Sequence, residues 1–156
     1  MPDARTICRI VTSTADVAHH HRIRTEVFVT EQKLFVDDDC DAFDELVTTL
    51  KVVAFRDHDP AGTVRLFPVD THGERWQGDR LAVLAPFRRF TLGIPLVRFA
   101  VATAGVRGGS VMSAHIQPAN VAFFEHLGWR SDGAVETYVG VPHQPMCIDL
   151  SSDEGR

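Results

Sequence analysis

Apolar residues late in the chain fall into a helical register. They stand at Leu96, Val97, Ala100, Val101 and Ala104, spacings of one, three and four that share one helix face. Just before them, Arg80–Leu84 is dense enough in apolar residues for a buried strand. Ala85-Pro86 ends it, because proline cannot donate to a sheet ladder. Pro95 falls in the first turn of the helix, where its missing N–H has no intrahelical partner to lose. Gly105 and Gly108-Gly109 stop the helix, and Ser110–Ile116 reads as the next strand. A strand, helix and strand of this length make a right-handed crossover, so the two strands are expected to run parallel.

The rest of the chain has simpler patterns. Arg5–Thr12 reads as a first strand, followed by a helix capped by Ser13 or Thr14 and running to about Phe28, with Val17, Ile23 and Val27 facing inward. Val47–Arg56 and Thr63–Val69 read as a hairpin around the turn Asp57–Gly62. Thr71–Asp79 reads as a loop. Pro118–Leu127 is a helix closed by Gly128, and Trp129–Val139 with Gln144–Leu150 form a last antiparallel pair. No repeat or linker divides residues 1–156, which are expected to form one domain.

Composition narrows the function classes. The chain has 156 residues and a formal net charge of −5, which argues against a general nucleic-acid binder. Three widely spaced cysteines, Cys8, Cys40 and Cys147, lack metal spacing and suit a reduced, cytoplasmic compartment. No signal peptide or membrane span is read, since Arg98 interrupts the most apolar helix.

Three local features carry candidate chemistry. The turn Arg88–Gly93 stands at a helix N-terminus with two arginines, Arg88 and Arg89. Free N–H donors, the positive dipole end and cationic side chains suit it to a phosphate or diphosphate. The run Asp37–Glu45 holds six carboxylates, which either attract a cationic acceptor or form a solvated loop. Its alternation imitates a calcium loop, but Ala42 and Thr48 replace the glycine and the bidentate glutamate such a loop needs. His19, His20 and His21 point about 100° apart on a helix and cannot share one metal, so they read as a solvated or half-buried surface run.

Arg88, Thr91 and Gly93 resemble the coenzyme A loop of the GNAT superfamily of N-acyltransferases, with Thr91 standing where that motif has its first glycine. Asn120-Val-Ala-Phe-Phe-Glu-His-Leu-Gly-Trp129 resembles a second segment of the superfamily. Arg24 with Val27-Phe28-Val29-Thr30-Glu31-Gln32, Ala114-His115 and Gly140–Met146 resemble its ElaA-type branch. The resemblance implies an α/β (α+β) GNAT fold: a central mixed sheet flanked by helices, in the order β-α-α-β-β-β-α-β-α-β-β.

The same resemblance implies an acetyl-CoA or other acyl-CoA donor, no metal, and a small-molecule or amino-acid-like amine as acceptor. Two parallel strands that splay apart leave backbone groups free, and the pantetheine amides of the donor can use them, with Ala82, Val83 and Leu84 as expected partners. The diphosphate is expected on Arg88, Arg89, Phe90, Thr91, Leu92, Gly93 and Ile94. Asn120 is expected on the pantetheine side. A backbone N–H near Val83 or Leu84 would steady the oxyanion while the amine attacks directly.

An alkyl ammonium with a pKa near about 10 must first lose a proton. His115, Glu31 and His143 are the candidates for proton transfer. Where many family members have a tyrosine acid, this chain has Phe124. That absence slows rather than forbids, since general-acid help is worth about 10²–10⁴-fold. Two alternatives stand beside the enzyme: a non-catalytic acyl-CoA-binding or partner module, and a relative of the acyl-homoserine lactone synthases. Whether the chain is a homodimer is open.

Overall fold

Asp57 and His58 both have positive φ, 50° and 76°, the backbone of a two-residue hairpin turn whose twist suits paired strands. They join β2 (Leu50–Arg56) to β3 (Asp59–Pro68), so the strand resumes at Asp59 and the turn is shorter than Asp57–Gly62. The structure, a computed structural model, describes residues 5–150. β1 (Thr6–Ile10) pairs antiparallel with β2, and β3 with β4 (Arg75–Val83). β4 therefore begins five residues before Arg80, within the stretch expected to be loop. With β5 (Val111–Ile116), β6 (Arg130–Ser131), β7 (Glu136–Tyr138) and β8 (Val141–Asp149), the sheet has the order β1-β2-β3-β4-β5-β8-β6, with β7 also on β8.

The crossover is as expected. α2 (Gly93–Val106) links β4 to β5 (Val111–Ile116), which run parallel. Leu96, Val97, Ala100 and Ala104 are buried, and Val101 packs partly against the same core. The helix starts before Leu96, so Pro95 is its third residue. The expected helix Pro118–Leu127 divides into a 3-10 turn, Pro118–Asn120, and α3 (Val121–His126). After it come β6 (Arg130–Ser131), β7 (Glu136–Tyr138) and β8 (Val141–Asp149). The result is a mixed α/β architecture of the kind the resemblance implies, with α2 and α3 over one face of the sheet and the N-terminal helix over the other.

α1 (Thr14–Arg24) is capped by Ser13, whose Oγ accepts from the Asp16 N–H at 3.1 Å. It does not stop near Phe28. It widens into a π-helical segment, Thr25–Glu31, a geometry that is rare and frequent at functional sites. The segment buries Val27 and Phe28 against Ala82 and Leu84, while its last residue, Glu31, stays at the surface.

One bulge in β4 decides what faces α1. Thr63 lies opposite Ala82 and Arg65 opposite Asp79, a step of two residues in β3 against three in β4. Arg80 is the extra residue, with φ 55° and its carbonyl accepting from Thr63 Oγ1 at 2.9 Å. A bulge breaks the alternation of a strand, so Asp79 and Arg80 both turn to the α1 face.

They join a buried ion-pair network that the sequence pattern did not suggest. Arg24 Nε donates to Asp39 at 2.8 Å, and its Nη atoms donate to both oxygens of Asp44. Arg65 bonds Asp79 and Asp41 bidentately. Arg80 Nε lies 2.9 Å from Asp39, and Lys51 lies 3.8 Å from Asp44. Four cations thus meet four carboxylates, with Arg24 and Arg65 wholly buried. Burial works against the charge of Asp44, but its bonds to Arg24 outweigh burial and hold its pKa well below the usual carboxylate range. Asp39, Asp41 and Asp44 of the acidic run are therefore structural counter-ions, not a field for a cationic acceptor.

His20 corrects the reading of a surface histidine run. It is fully buried, its Nδ1–H donates to the Val52 carbonyl at 3.0 Å, and its Nε2 accepts from Arg24 Nη1 at 3.1 Å. Burial, reinforced by Arg24, pushes its pKa down to about 3, so it stays neutral.

Candidate active site

β4 and β5 are paired only at Arg75–Val111, Trp76–Met112 and Gln77–Ser113. Beyond Gln77 the two strands part. The gap opens a cleft of about 140 Å³, bordered by Gly78–Leu81 on one strand and Ala114–Gln117 on the other. Val97, Ala100, Asn120, Phe124 and Trp129 line its α2/α3 side. Phe28, Gln32, Leu34 and Phe35 line the side covered by α1. The cleft thus passes through the sheet, as a site for two reactants entering from opposite faces requires.

Ala82, Val83 and Leu84 lie past the residues that border the cleft, and their backbones point in different directions. The Leu84 N–H is spent on the Ala61 carbonyl at 2.9 Å, and Ala82 stands in register with Thr63 of β3. The Val83 carbonyl instead accepts from Arg88 Nε at 2.9 Å, so Val83 turns its backbone away from β3. Val83 stands in register with Gly62, and because the N–H and C=O of one strand residue share an edge, its N–H lies on the same side as the carbonyl that Arg88 bonds. Ala82 and Leu84 are corrected from the donor's backbone partners to β3-paired residues whose side chains pack toward α1.

The loop after β4 is a 3-10 turn, Ala85–Phe90, followed by Thr91 in the left-handed conformation, φ 55° and ψ 42°. That conformation is why a glycine suits this position. A β-branched residue adopts it only at a cost of about 1–2 kcal/mol. Thr91 nevertheless keeps the turn, and its Oγ1 donates to the Phe90 carbonyl at 2.6 Å. Gly93 opens α2 and packs on Phe123, where an added Cβ would lie 3.3 Å away. Leu92 is buried and Ile94 half-buried; Phe90 carries the Arg56 guanidinium 4.0 Å over its ring. Arg89 is exposed and lies beside Phe90.

Arg88 is not idle. Its two Nη atoms each donate to Glu31 at 2.6 Å. Hydrogen bonding to Arg88 holds the Glu31 carboxyl below the usual glutamate range. A carboxylate so stabilised is a weak base, and Glu31 does not border the cleft while its neighbour Gln32 does. Glu31 is therefore corrected from a proton acceptor in the cleft to the rim partner of Arg88.

His115 and His143 do border the cleft, on one wall with a residue the sequence reading passed over. Tyr138, the single tyrosine of the chain, stacks on His115 with ring centroids 4.4 Å apart and meets His143 edge-on at 5.2 Å. His115 Nε2 lies 3.3 Å from Glu136 Oε1, and its Nδ1 is buried without a partner among the described residues. His143 donates from Nδ1 to the Val141 carbonyl at 3.1 Å, and its Nε2 takes no part in that bond. Tyr138 could have been found only by asking where the one tyrosine lies once Phe124 is seen to carry no hydroxyl.

Asn120 borders the cleft at the head of α3, and its side chain makes no capping bond there. Phe124 is buried, edge-on to Phe123 and Trp129.

A mixed sheet parted between parallel strands, with an arginine-bearing turn leading into a helix after the parted strand, is the framework of an N-acyltransferase. The model of the acetyltransferase (GNAT) family matches residues 16–129, and the chain belongs to that family, whose members use acyl-CoA. It is 31% identical over 137 residues to a candidate acetyltransferase of Bacillus subtilis (strain 168), covering 87% of this chain and 91% of that one. Among solved structures it superposes on Escherichia coli ElaA with a TM-score of 0.80, at 18% identity, over 92% and 99% of the two chains. It superposes on FeeM, an N-acyl amino acid synthase from uncultured soil microbes, also at 0.80, with 16% identity over 94% and 91%. Among the described residues no helix is long and apolar enough to cross a membrane.

Proposed function

We propose that this protein transfers an acyl group, acetyl in the first instance, from acyl-CoA to the amine of a small, amino-acid-like acceptor. The observation that carries the proposal is the parting of β4 and β5 after Gln77 around a cleft lined by His115, Tyr138, His143 and Asn120. The pantetheine arm lies along the opened edge and bonds the Val83 N–H. Asn120 binds the same arm. The diphosphate meets Arg88, Arg89 and the Phe90–Ile94 turn, where helix N–H groups and positive charge favour it.

The acceptor enters from the α1 face, between Phe28, Phe35 and the histidine wall. His115, oriented by Glu136, takes the ammonium proton, with His143 Nε2 the nearby second acceptor. The neutral amine attacks the thioester carbonyl, the adduct's nitrogen gives its second proton to His143 Nε2, the C–S bond breaks, and Tyr138 protonates the departing thiolate. No covalent enzyme intermediate is needed. FeeM, whose name states an amino acid product, supports an amino-acid-like acceptor through its shared fold.

The test is CoA release from acetyl-CoA against a panel of amino acids and small amines. Turnover that falls about 10²-fold or more in His115→Ala supports the reading. Binding of acetyl-CoA without thiol release from any amine would favour a non-catalytic module instead.

A further inference from the structure

The contact between Glu31 and Arg88 occupies the guanidinium that a CoA donor needs at the rim. Each Glu31 oxygen accepts one Arg88 Nη–H at 2.6 Å, a planar bidentate arrangement that guanidinium offers to carboxylates and phosphates alike. At the same time Arg88 Nε donates to the Val83 carbonyl at 2.9 Å, on the strand edge left open by the parting of β4 and β5. Both partners are well exposed, 43% and 41% for their side chains, so water and salt screen the pair and little holds it closed. The carboxylate arrives from the π-helical end of the N-terminal helix, which belongs to the opposite face of the sheet.

We propose that Glu31 is a built-in competitor of the donor: its carboxylate stands on Arg88 where the diphosphate of CoA binds, and the donor must displace it. The inference rests on the donor reading above. Exchange is favoured because a diphosphate brings more negative charge than one carboxylate and the same paired oxygens. It carries Arg88 from the N-terminal helix to the donor and leaves the Glu31 carboxylate free at the rim beside Gln32. The pair thereby selects for donors that bring a diphosphate, since a ligand without one has nothing to offer Arg88.

The competitor is recognised by the sign of its removal. An ordinary supporting contact, once removed, weakens or spares ligand binding; a competitor, once removed, tightens it. Calorimetric titration of CoA is expected to give a dissociation constant about threefold lower for Glu31→Gln than for the wild type, the factor contained in an exposed ion pair. Pantetheine, which lacks the diphosphate, is expected to bind both proteins equally. In the Arg88→Ala background Glu31→Gln is expected to have no effect on CoA, because the two substitutions act on one contact. Unchanged or weaker CoA binding by Glu31→Gln overturns the inference, as does equal tightening of pantetheine. A wild type that binds neither CoA nor acetyl-CoA fails the donor reading itself, a different result.

Discussion

Two sets of arginine–carboxylate pairs meet at β4 and at the turn that follows it, and they do opposite things with the same chemistry. Arg24, Arg65 and Arg80 meet Asp39, Asp41, Asp44 and Asp79 with the arginines at most 5% exposed. Arg88 meets Glu31 at shorter distances, 2.6 Å, but in water. Distance therefore does not rank them. The interior pairs cannot exchange partners, because any arginine left without its carboxylate is an uncompensated buried charge. The rim pair can exchange, because solvent or a ligand replaces whichever group leaves. The first set fixes the strand bulge at Arg80 and the wall of the cleft; the second is available to a substrate.

The largest effect that could break this contrast is the removal of an interior arginine. Arg65→Ala is expected to destabilise by about 3–5 kcal/mol, read as a shift of the urea midpoint, whereas Arg88→Ala is expected to leave that midpoint nearly unchanged. Comparable losses from the two would erase the distinction.

Acid separates the regions next. His20 titrates at about 3 in the folded protein against 6.5 for the free side chain. The unfolded chain therefore binds a proton that the folded one refuses. Stability is full above about pH 6.5 and falls continuously toward pH 3, by about 3 kcal/mol at pH 4. Asp41 and Asp44, both lowered from 3.8, withdraw their share only below about that value. Glu31, lowered from 4.5, keeps its charge across the same upper window. Thermal unfolding is thus expected to respond between pH 6.5 and 5 while the rim pair does not, and a flat melting temperature there would contradict the neutral buried histidine.

A smaller effect is expected on binding. Arg88→Ala should weaken CoA about tenfold, the worth of a charge-assisted contact, and the loss should shrink in high salt. The smallest concerns the backbone of the rim. Thr91→Gly relieves a left-handed β-branched residue and is expected to raise stability by about 0.5–1 kcal/mol, measured by the same urea midpoint.

The sequence was most legible where periodicity and breakers act locally. The face Leu96–Ala104, the stop at Gly108-Gly109 and the parallel crossover all follow from spacing. So does the place of the arginine-bearing turn, since Arg88 and the helix start are neighbours in the chain. The bulge at Arg80 was hidden because nothing short-range asks an arginine to take positive φ; its pairing with Asp39 across the fold does. The loop expected over Thr71–Asp79 contains Gly73 and Gly78, which mask a strand that the β3 ladder extends back to Arg75. His20 and the acidic run looked solvated because most of their partners are 15 to 41 residues away. Glu31 was singled out as a base, but its role depends on a contact 57 residues distant. The aromatic wall of His115, Tyr138 and His143 is set by the pairing of β7 with β8, which residue patterns alone did not resolve.

The central claim is that the opened edge of β4 holds the donor, with the Val83 N–H as its backbone partner. Residue-resolved amide hydrogen exchange with and without acetyl-CoA tests it most directly. The account predicts that the Val83 amide exchanges readily in the free protein and becomes protected when acetyl-CoA is added, while the Leu84 amide, already bonded to Ala61, changes little. Protection of Leu84 without Val83, or acetyl-CoA binding that leaves Val83 exchanging as before, would contradict it.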